Sequence, residues 1–254
     1  MYEDVNFWLD DSLVVISGCT GNMDSSTTGG YQAKGTTVNI TSGNMAYPAY
    51  LAAPSEEGKK PAVVLVHSNQ GLEPVYRNLT DRLASEGYVV LSPQWQTFEQ
   101  RPGDETIERL LRDSVAYLRT RPDVNGNIGL TGFCAGGRYT MLFLPQIDDF
   151  KSGVAFYGFP YSGGFANQSM PVDMIEQLNV PLLMIHGTHD RSSPIADIYR
   201  YATELNASGK YFELKVYQGQ PHRFMTENGE LSQSFAARDA YREMATFFDR
   251  TLRE

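Results

Sequence analysis

Cys134 stands in Gly132-Phe133-Cys134-Ala135-Gly136, a cysteine with a glycine two positions away on each side. A thiol attacks carbon only as its thiolate. With an ordinary pKa near 8.5, only about a few per cent of it is ionised at neutral pH. It therefore needs a base and a positive environment. After Cys134 three histidines remain: His186, His189 and His222. His222 follows Gly219-Gln220-Pro221, just past the last β-rich run, where an imidazole can hang over a strand-end site. Asp190, in Gly187-Thr188-His189-Asp190-Arg191-Ser192-Ser193-Pro194, follows the run that ends at His186, and a carboxylate there can orient an imidazole and stabilise its charged form. Asp197 is the weaker choice, because it falls inside the next predicted helix. His186 and His189 have the spacing of a metal pair, but no third ligand accompanies them and the spacing does not suit a helical pair, so no metal and no other cofactor is expected.

The elements that must hold these residues alternate along the chain. Thr36 to Ile40 and Tyr47 to Leu51 read as strands around a Ser42-Gly43-Asn44 turn. Pro61 to Val66 is a continuous apolar run, as in a strand buried on both faces. Pro74 opens a helix with Val75, Leu79 and Leu83 on one face, and Gly87 ends it. Tyr88 to Leu91, Ile128 to Thr131, Val154 to Tyr157, Leu182 to His186 and Phe212 to Tyr217 are further strands. Helices fall between them: one carries Ile107, Leu110, Leu111, Val115 and Leu118, another runs from about Ile195 to Ala207, and a closing one carries Tyr241, Met244 and Phe248. This predicts an α/β domain, a mostly parallel central sheet with helices on both faces, with active residues at the C-terminal ends of strands.

In that setting Gly132 to Gly137 is a strand-to-helix elbow of the G-x-S-x-G kind with cysteine replacing serine. The chain order nucleophile, acid, histidine is that of an α/β-hydrolase. The helix N-terminus supplies free N–H groups and positive potential for a thiolate and an oxyanion. The loop His67-Ser68-Asn69-Gln70-Gly71-Leu72 follows the apolar strand and occupies the position that provides a second oxyanion donor. The hole is therefore assigned to the backbone N–H groups of Ala135 and Asn69. Trp95, Phe133, Tyr157, Phe159, Tyr161 and Phe224 are candidates for an aromatic pocket or for core.

Composition narrows the class. The chain has 254 residues, 41% of them hydrophobic, enough for one large core, with a formal net charge of −9 and no run of Lys or Arg. A nucleic-acid partner is not expected, and any grip on an anionic substrate must be local. No apolar run approaches the length needed to span a bilayer. Residues 1–30 are expected to be a flexible segment ahead of a single domain from 31 to 254. Ile16-Ser17-Gly18-Cys19 reads like a lipoprotein cleavage box before a Gly/Ser/Thr-rich tether, but acidic residues precede it and the apolar stretch from Leu13 to Ile16 is short for a signal. A cytoplasmic protein is expected, with export or lipid anchoring through Cys19 as the alternative. It is expected to act as a monomer or homodimer. The two cysteines, Cys19 and Cys134, form no disulfide framework.

From Tyr47 to the C-terminus the sequence resembles the dienelactone hydrolase family, the carboxymethylenebutenolidases. The marks are Pro61-Ala62-Val63-Val64-Leu65-Val66-His67, Gly71-Leu72, Leu83-Ala84 with Glu86-Gly87-Tyr88, Gly132-Phe133-Cys134-Ala135-Gly136-Gly137, Phe156-Tyr157-Gly158, His186-Gly187 with Asp190, and Val216-Tyr217 with His222 and Phe224. The resemblance implies an α/β-hydrolase fold, a small ester or lactone substrate and a Cys134–His222–Asp190 triad working through a thioacyl-enzyme. Departures from the family pattern are local. Ser68 stands where the family usually has a Glu that helps activate the thiol, Pro93-Gln94-Trp95 replaces Pro-Asp-Leu, and Arg223 follows the histidine where a small residue is common. In the family, arginines grip a substrate carboxylate, which makes Arg101, Arg138 and Arg223 candidates. With Ser68, Trp95, Tyr157 and Phe224 they complete the candidate substrate contacts. A general carboxylesterase is the rival enzyme, and a non-catalytic or thiol-sensing protein on the same fold is the reading of another class.

Overall fold

The computed structural model describes residues 34–165 and 168–253. The expectations for the N-terminal segment, Cys19 included, lie outside the described residues. The chain runs β1 (Thr36–Ser42), β2 (Met45–Ala52), β3 (Lys60–Val66), α1 (Pro74–Ser85), β4 (Val89–Pro93), α2 (Asp104–Thr120), β5 (Val124–Phe133), α3 (Ala135–Phe143) and β6 (Phe150–Phe156). A 3-10 turn at Pro171–Gln177 leads to β7 (Leu182–Gly187), α4 (Ile195–Ala207), β8 (Phe212–Tyr217), a short hairpin of β9 (Thr226–Glu227) and β10 (Glu230–Leu231), and α5 (Phe235–Leu252).

Eight strands form one sheet in the order β1-β2-β4-β3-β5-β6-β7-β8. β1, β2 and β4 pair antiparallel, and every neighbour from β4 through β3 to β8 is parallel. The central strand β3 explains its own composition. Ala62, Val63, Val64, Leu65 and Val66 are all buried, because helices cover both faces and alternate side chains enter different cores. Val64 and Val66 point to the face packed by α2, α3 and α4, through Leu110, Leu111, Tyr139 and Tyr201. Val63 and Leu65 point to the face packed by α1 and α5, through Leu79, Leu83, Tyr241 and Phe248. Truncating a fully buried ring such as Phe248 to alanine would cost about 3–5 kcal/mol.

The period-four face of α1 starts behind Pro74 as expected, and its stop falls where Glu86 and Gly87 N–H groups close on Leu83 and Ala84. The sheet topology brings the ends of β3, β5, β6, β7 and β8 to one edge. The loops leaving that edge carry Asn69, Cys134, Tyr157, Asp190 and His222. Among the described residues, no helix is long and apolar enough to cross a membrane.

Candidate active site

Cys134 occupies the position between β5 and α3, with φ 59° and ψ −114°, a conformation a β-carbon-bearing residue rarely adopts. The flanking glycines make the turn physically possible. A β-carbon on Gly132 would lie 2.1 Å from the Gly136 carbonyl oxygen, and one on Gly136 would lie 2.0 Å from the Val66 carbonyl oxygen. The strain is held by Cys134 N–H donating to Phe156 O at 3.1 Å and Arg138 N–H donating to Cys134 O at 3.0 Å. The thiol is free, 6% of the residue is exposed, and Sγ donates weakly to Asn69 Oδ1 at 3.8 Å. Ala135 is the first residue of α3, and Asn69 sits on the loop after β3. Among the described residues neither backbone N–H has an acceptor.

His222 Nδ1 and Asp190 Oδ2 are 2.7 Å apart, which leaves Nε2 facing away from the carboxylate. Asp190 is buried, and its other oxygen accepts the N–H groups of Ser192 at 2.9 Å and Ser193 at 2.8 Å. Burial works against its charge, yet His222 and the Ser193 N–H hold its pKa below the ordinary value. For His222, burial disfavours the imidazolium. Hydrogen bonds and charge from Asp190 and Cys134 outweigh it and push the pKa up to about 9. His186 has a different use. Its Nε2 donates to the Ser193 carbonyl at 2.8 Å and lies 3.4 Å from Asp190 Oδ2, and burial lowers its pKa, so it supports the Asp190 loop as a neutral ring.

A cavity of about 160 Å³ opens beside Cys134, lined by Asn69, Ala135, Tyr139, Phe159, Gly164 and Phe165 together with Arg138 and Ser162. Several expected substrate contacts fall elsewhere. Trp95 is buried; it stacks on His67 at 5.1 Å and donates to the His67 carbonyl at 3.2 Å, which makes it the floor of the β3 loop. Ser68 is fully buried and accepts the Gln70 N–H at 3.1 Å, a turn-forming role. Phe224 packs into the core against Tyr157 and Tyr217 at 5.7 and 5.3 Å. Arg223 is pinned to Glu73 at 2.7 Å. Tyr157 is buried below the site with its ring 5.0 Å from that of His222. Arg138 does reach the cavity wall, but its guanidinium is consumed. It grips Asp104 at 2.8 and 2.7 Å and donates to the Ser162 and Ser169 carbonyls at 2.8 Å each.

Of the loop after β6, which forms a wall of the site, the sequence offered Phe159 and Tyr161 as pocket candidates but not Phe165. Phe165 is 41% exposed and lies under the Arg101 guanidinium at 5.4 Å, and Phe159 lies 5.5 Å from the His222 ring. The clue in the sequence was a large aromatic directly after Gly163-Gly164, where a packed core has no reason to place one.

With this geometry in hand, relatives give the family. The model of the dienelactone hydrolase family matches residues 47–108 and 95–252. The chain belongs to the dienelactone hydrolase family. A provisionally named carboxymethylenebutenolidase from Escherichia coli K12 is 30% identical over 221 residues, covering 79% of this chain and 81% of that protein. A relative from Synechocystis sp., provisionally named in the same way, is 30% identical over 249 residues, covering 87% of this chain and 98% of its own length. The fold matches a crystal structure provisionally named dienelactone hydrolase from Klebsiella pneumoniae. Its TM-score is 0.79 at 24% identity, with 87% of this chain and all of that one covered. The dienelactone hydrolase family is one of hydrolases, and its model spans every residue described above in the cavity and around Cys134.

Proposed function

We propose that this family member hydrolyses small esters or lactones through a Cys134 thioacyl-enzyme, with His222 and Asp190 completing the triad. The observation that carries the reading is the pairing of His222 with Asp190 at 2.7 Å beside a cysteine strained into the N-cap of α3. The proton of Cys134 passes to His222 Nε2, and the imidazolium is stabilised by Asp190. The thiolate attacks the carbonyl carbon, and the oxyanion accepts hydrogen bonds from the Ala135 and Asn69 N–H groups. His222 protonates the departing alkoxide, and the carbonyl re-forms as a thioester. Water, deprotonated by His222, then releases the acid and regenerates the thiol.

Cysteine selects the substrate class. Thiolate leaves a tetrahedral intermediate more readily than an amine does, so amides collapse backwards while enol esters, aryl esters and lactones go forward. The cavity narrows the class further. Among the described residues its only lining cation, Arg138, is engaged by Asp104, which favours neutral esters over carboxylated lactones. Arg101, over the Phe165 ring at the cavity wall, is a cation through which a carboxylate can be held.

The test is turnover of p-nitrophenyl acetate by the wild type and by Cys134→Ala, followed by kcat/KM for a dienelactone against simple neutral esters. Turnover that survives in Cys134→Ala overturns the thioacyl reading. A large advantage for the dienelactone, abolished by Arg101→Ala, would restore the carboxylated substrate.

A further inference from the structure

Tyr157 combines three features that packing does not explain. It follows β6 directly and has φ 37°, a strained backbone for a bulky side chain. Its residue is 0% exposed, yet its hydroxyl has no hydrogen-bond partner among the described residues. Such a buried orphan costs about 1–3 kcal/mol, and a phenylalanine would avoid it. Its backbone is also tied to the elbow. The carbonyl of the preceding Phe156 receives the Cys134 N–H, and the Tyr157 N–H donates to Ile185 O at 2.9 Å. Its ring packs edge-on to His222 at 5.0 Å, lies 6.2 Å from Phe133 and belongs to the same buried cluster as Cys134.

The thiol has a matching need. In its resting arrangement Cys134 Sγ is a donor, giving its proton to Asn69 Oδ1. Once ionised it is only an acceptor, and the Asn69 carbonyl oxygen repels it. Buried charge requires hydrogen-bond donors, and one imidazolium N–H satisfies a single lone pair. Tyr157 from the end of β6 and Tyr76 from α1 share one buried cluster with Cys134, and His222, Tyr157 and Tyr76 all lie within electrostatic reach of its sulfur, as Asp190 and Arg223 do of Tyr157 and Arg223 and Glu73 of Tyr76. The Tyr76 hydroxyl is likewise buried and faces Ser68. Burial raises the pKa of Tyr157 well above that of a free phenol, so its hydroxyl keeps its proton and can only donate to an anion.

We infer that the Tyr157 hydroxyl is a second hydrogen-bond donor to the Cys134 thiolate, stabilising the ionised nucleophile together with His222. This rests on the proposed Cys134 chemistry. The thiol proton goes to His222 Nε2, while Tyr157 keeps its own and makes an O–H···S hydrogen bond. No bond to Tyr157 forms or breaks. The site thereby replaces the acidic residue missing at Ser68 with a neutral donor acting on the other protonation state.

The experiment is the pH dependence of iodoacetamide alkylation of Cys134, which needs no substrate and so reads the thiol even if the esterase reading fails. In Tyr157→Phe the alkylation midpoint should rise by about one pH unit, which slows the reaction about tenfold below the midpoint and leaves the alkaline plateau unchanged. With p-nitrophenyl acetate, kcat should fall more than KM rises. Placing trifluorotyrosine at position 157, a stronger donor of nearly the same shape, should move the midpoint down. A midpoint unchanged in Tyr157→Phe overturns the inference. If that variant does not fold, an unchanged midpoint in the trifluorotyrosine protein does the same.

Discussion

Two carboxylate–cation pairs flank the cavity, and they are anchored from opposite ends. Asp190 holds His222 at 2.7 Å, and the acid is the fixed partner, tied by the Ser192 and Ser193 N–H groups and backed by His186. Asp104 holds Arg138 at 2.7 Å, and the cation is the fixed partner, tied to the Ser162 and Ser169 carbonyls. The imidazole keeps a second nitrogen free of the carboxylate and has its pKa pushed up to about 9, whereas the guanidinium is held between Asp104 and the two carbonyls. On the proposed mechanism, the same ion-pair chemistry makes a proton carrier on one side and a wall post on the other. Which end the backbone grips decides between them.

Removing the carrier should have the largest effect. His222→Ala is expected to lower kcat/KM for p-nitrophenyl acetate by about 10³–10⁴ with the fold retained by circular dichroism. Asp190→Asn should cost about a hundredfold or more. It should also move the alkaline limb of the pH–rate profile, expected near pH 9 in the wild type, to lower pH, because the charge that raises His222 is gone. A limb that stays in place would break the contrast between the two pairs.

The wall post predicts the reverse pattern. Arg138→Met leaves Asp104 partly buried without its partner and should destabilise the protein by about 3 kcal/mol in urea titration, while kcat changes only a few-fold. Adding Asp104→Leu should recover much of that stability. The smallest effect is in the pH dependence of folding. His222 is raised from 6.5 to about 9, so the stabilisation from its pairing is full below pH 6.5 and is lost as the pH rises through about 9. Asp190 is lowered, so its share is present above the ordinary carboxylate value and is lost as the pH falls through its native one. His222→Gln should flatten the alkaline side of that stability curve and leave the Arg138 side untouched.

How much of this was written in the sequence depends on the kind of constraint. The strands and the helix faces were legible because apolar periodicity is local, as in Val75, Leu79 and Leu83 on α1. The elbow glycines were legible because a backbone clash, such as that at Gly136 against Val66, is encoded by one residue type. Asp190 and His222 could be singled out because strand ends converge in a parallel sheet, and the structure brings those two together. The substrate side was legible only in part, since Arg138 and Phe159 line the cavity while other candidates do not. Arg138 is claimed by Asp104, which lies 34 residues away, and no local pattern announces a long-range partner. Trp95 and Phe224 look identical as pocket or as core until the packing is known. The orphan hydroxyl of Tyr157 can be recognised only when the neighbours that fail to pair with it are in view.

The covalent role of Cys134 is read by rapid acid quenching during p-nitrophenyl acetate turnover, followed by peptide mass spectrometry. An acetyl thioester is expected on the peptide containing Cys134, released by hydroxylamine and absent from Cys134→Ala. Undiminished turnover with the acetyl group on another residue, or in a protein lacking the thiol, would contradict it.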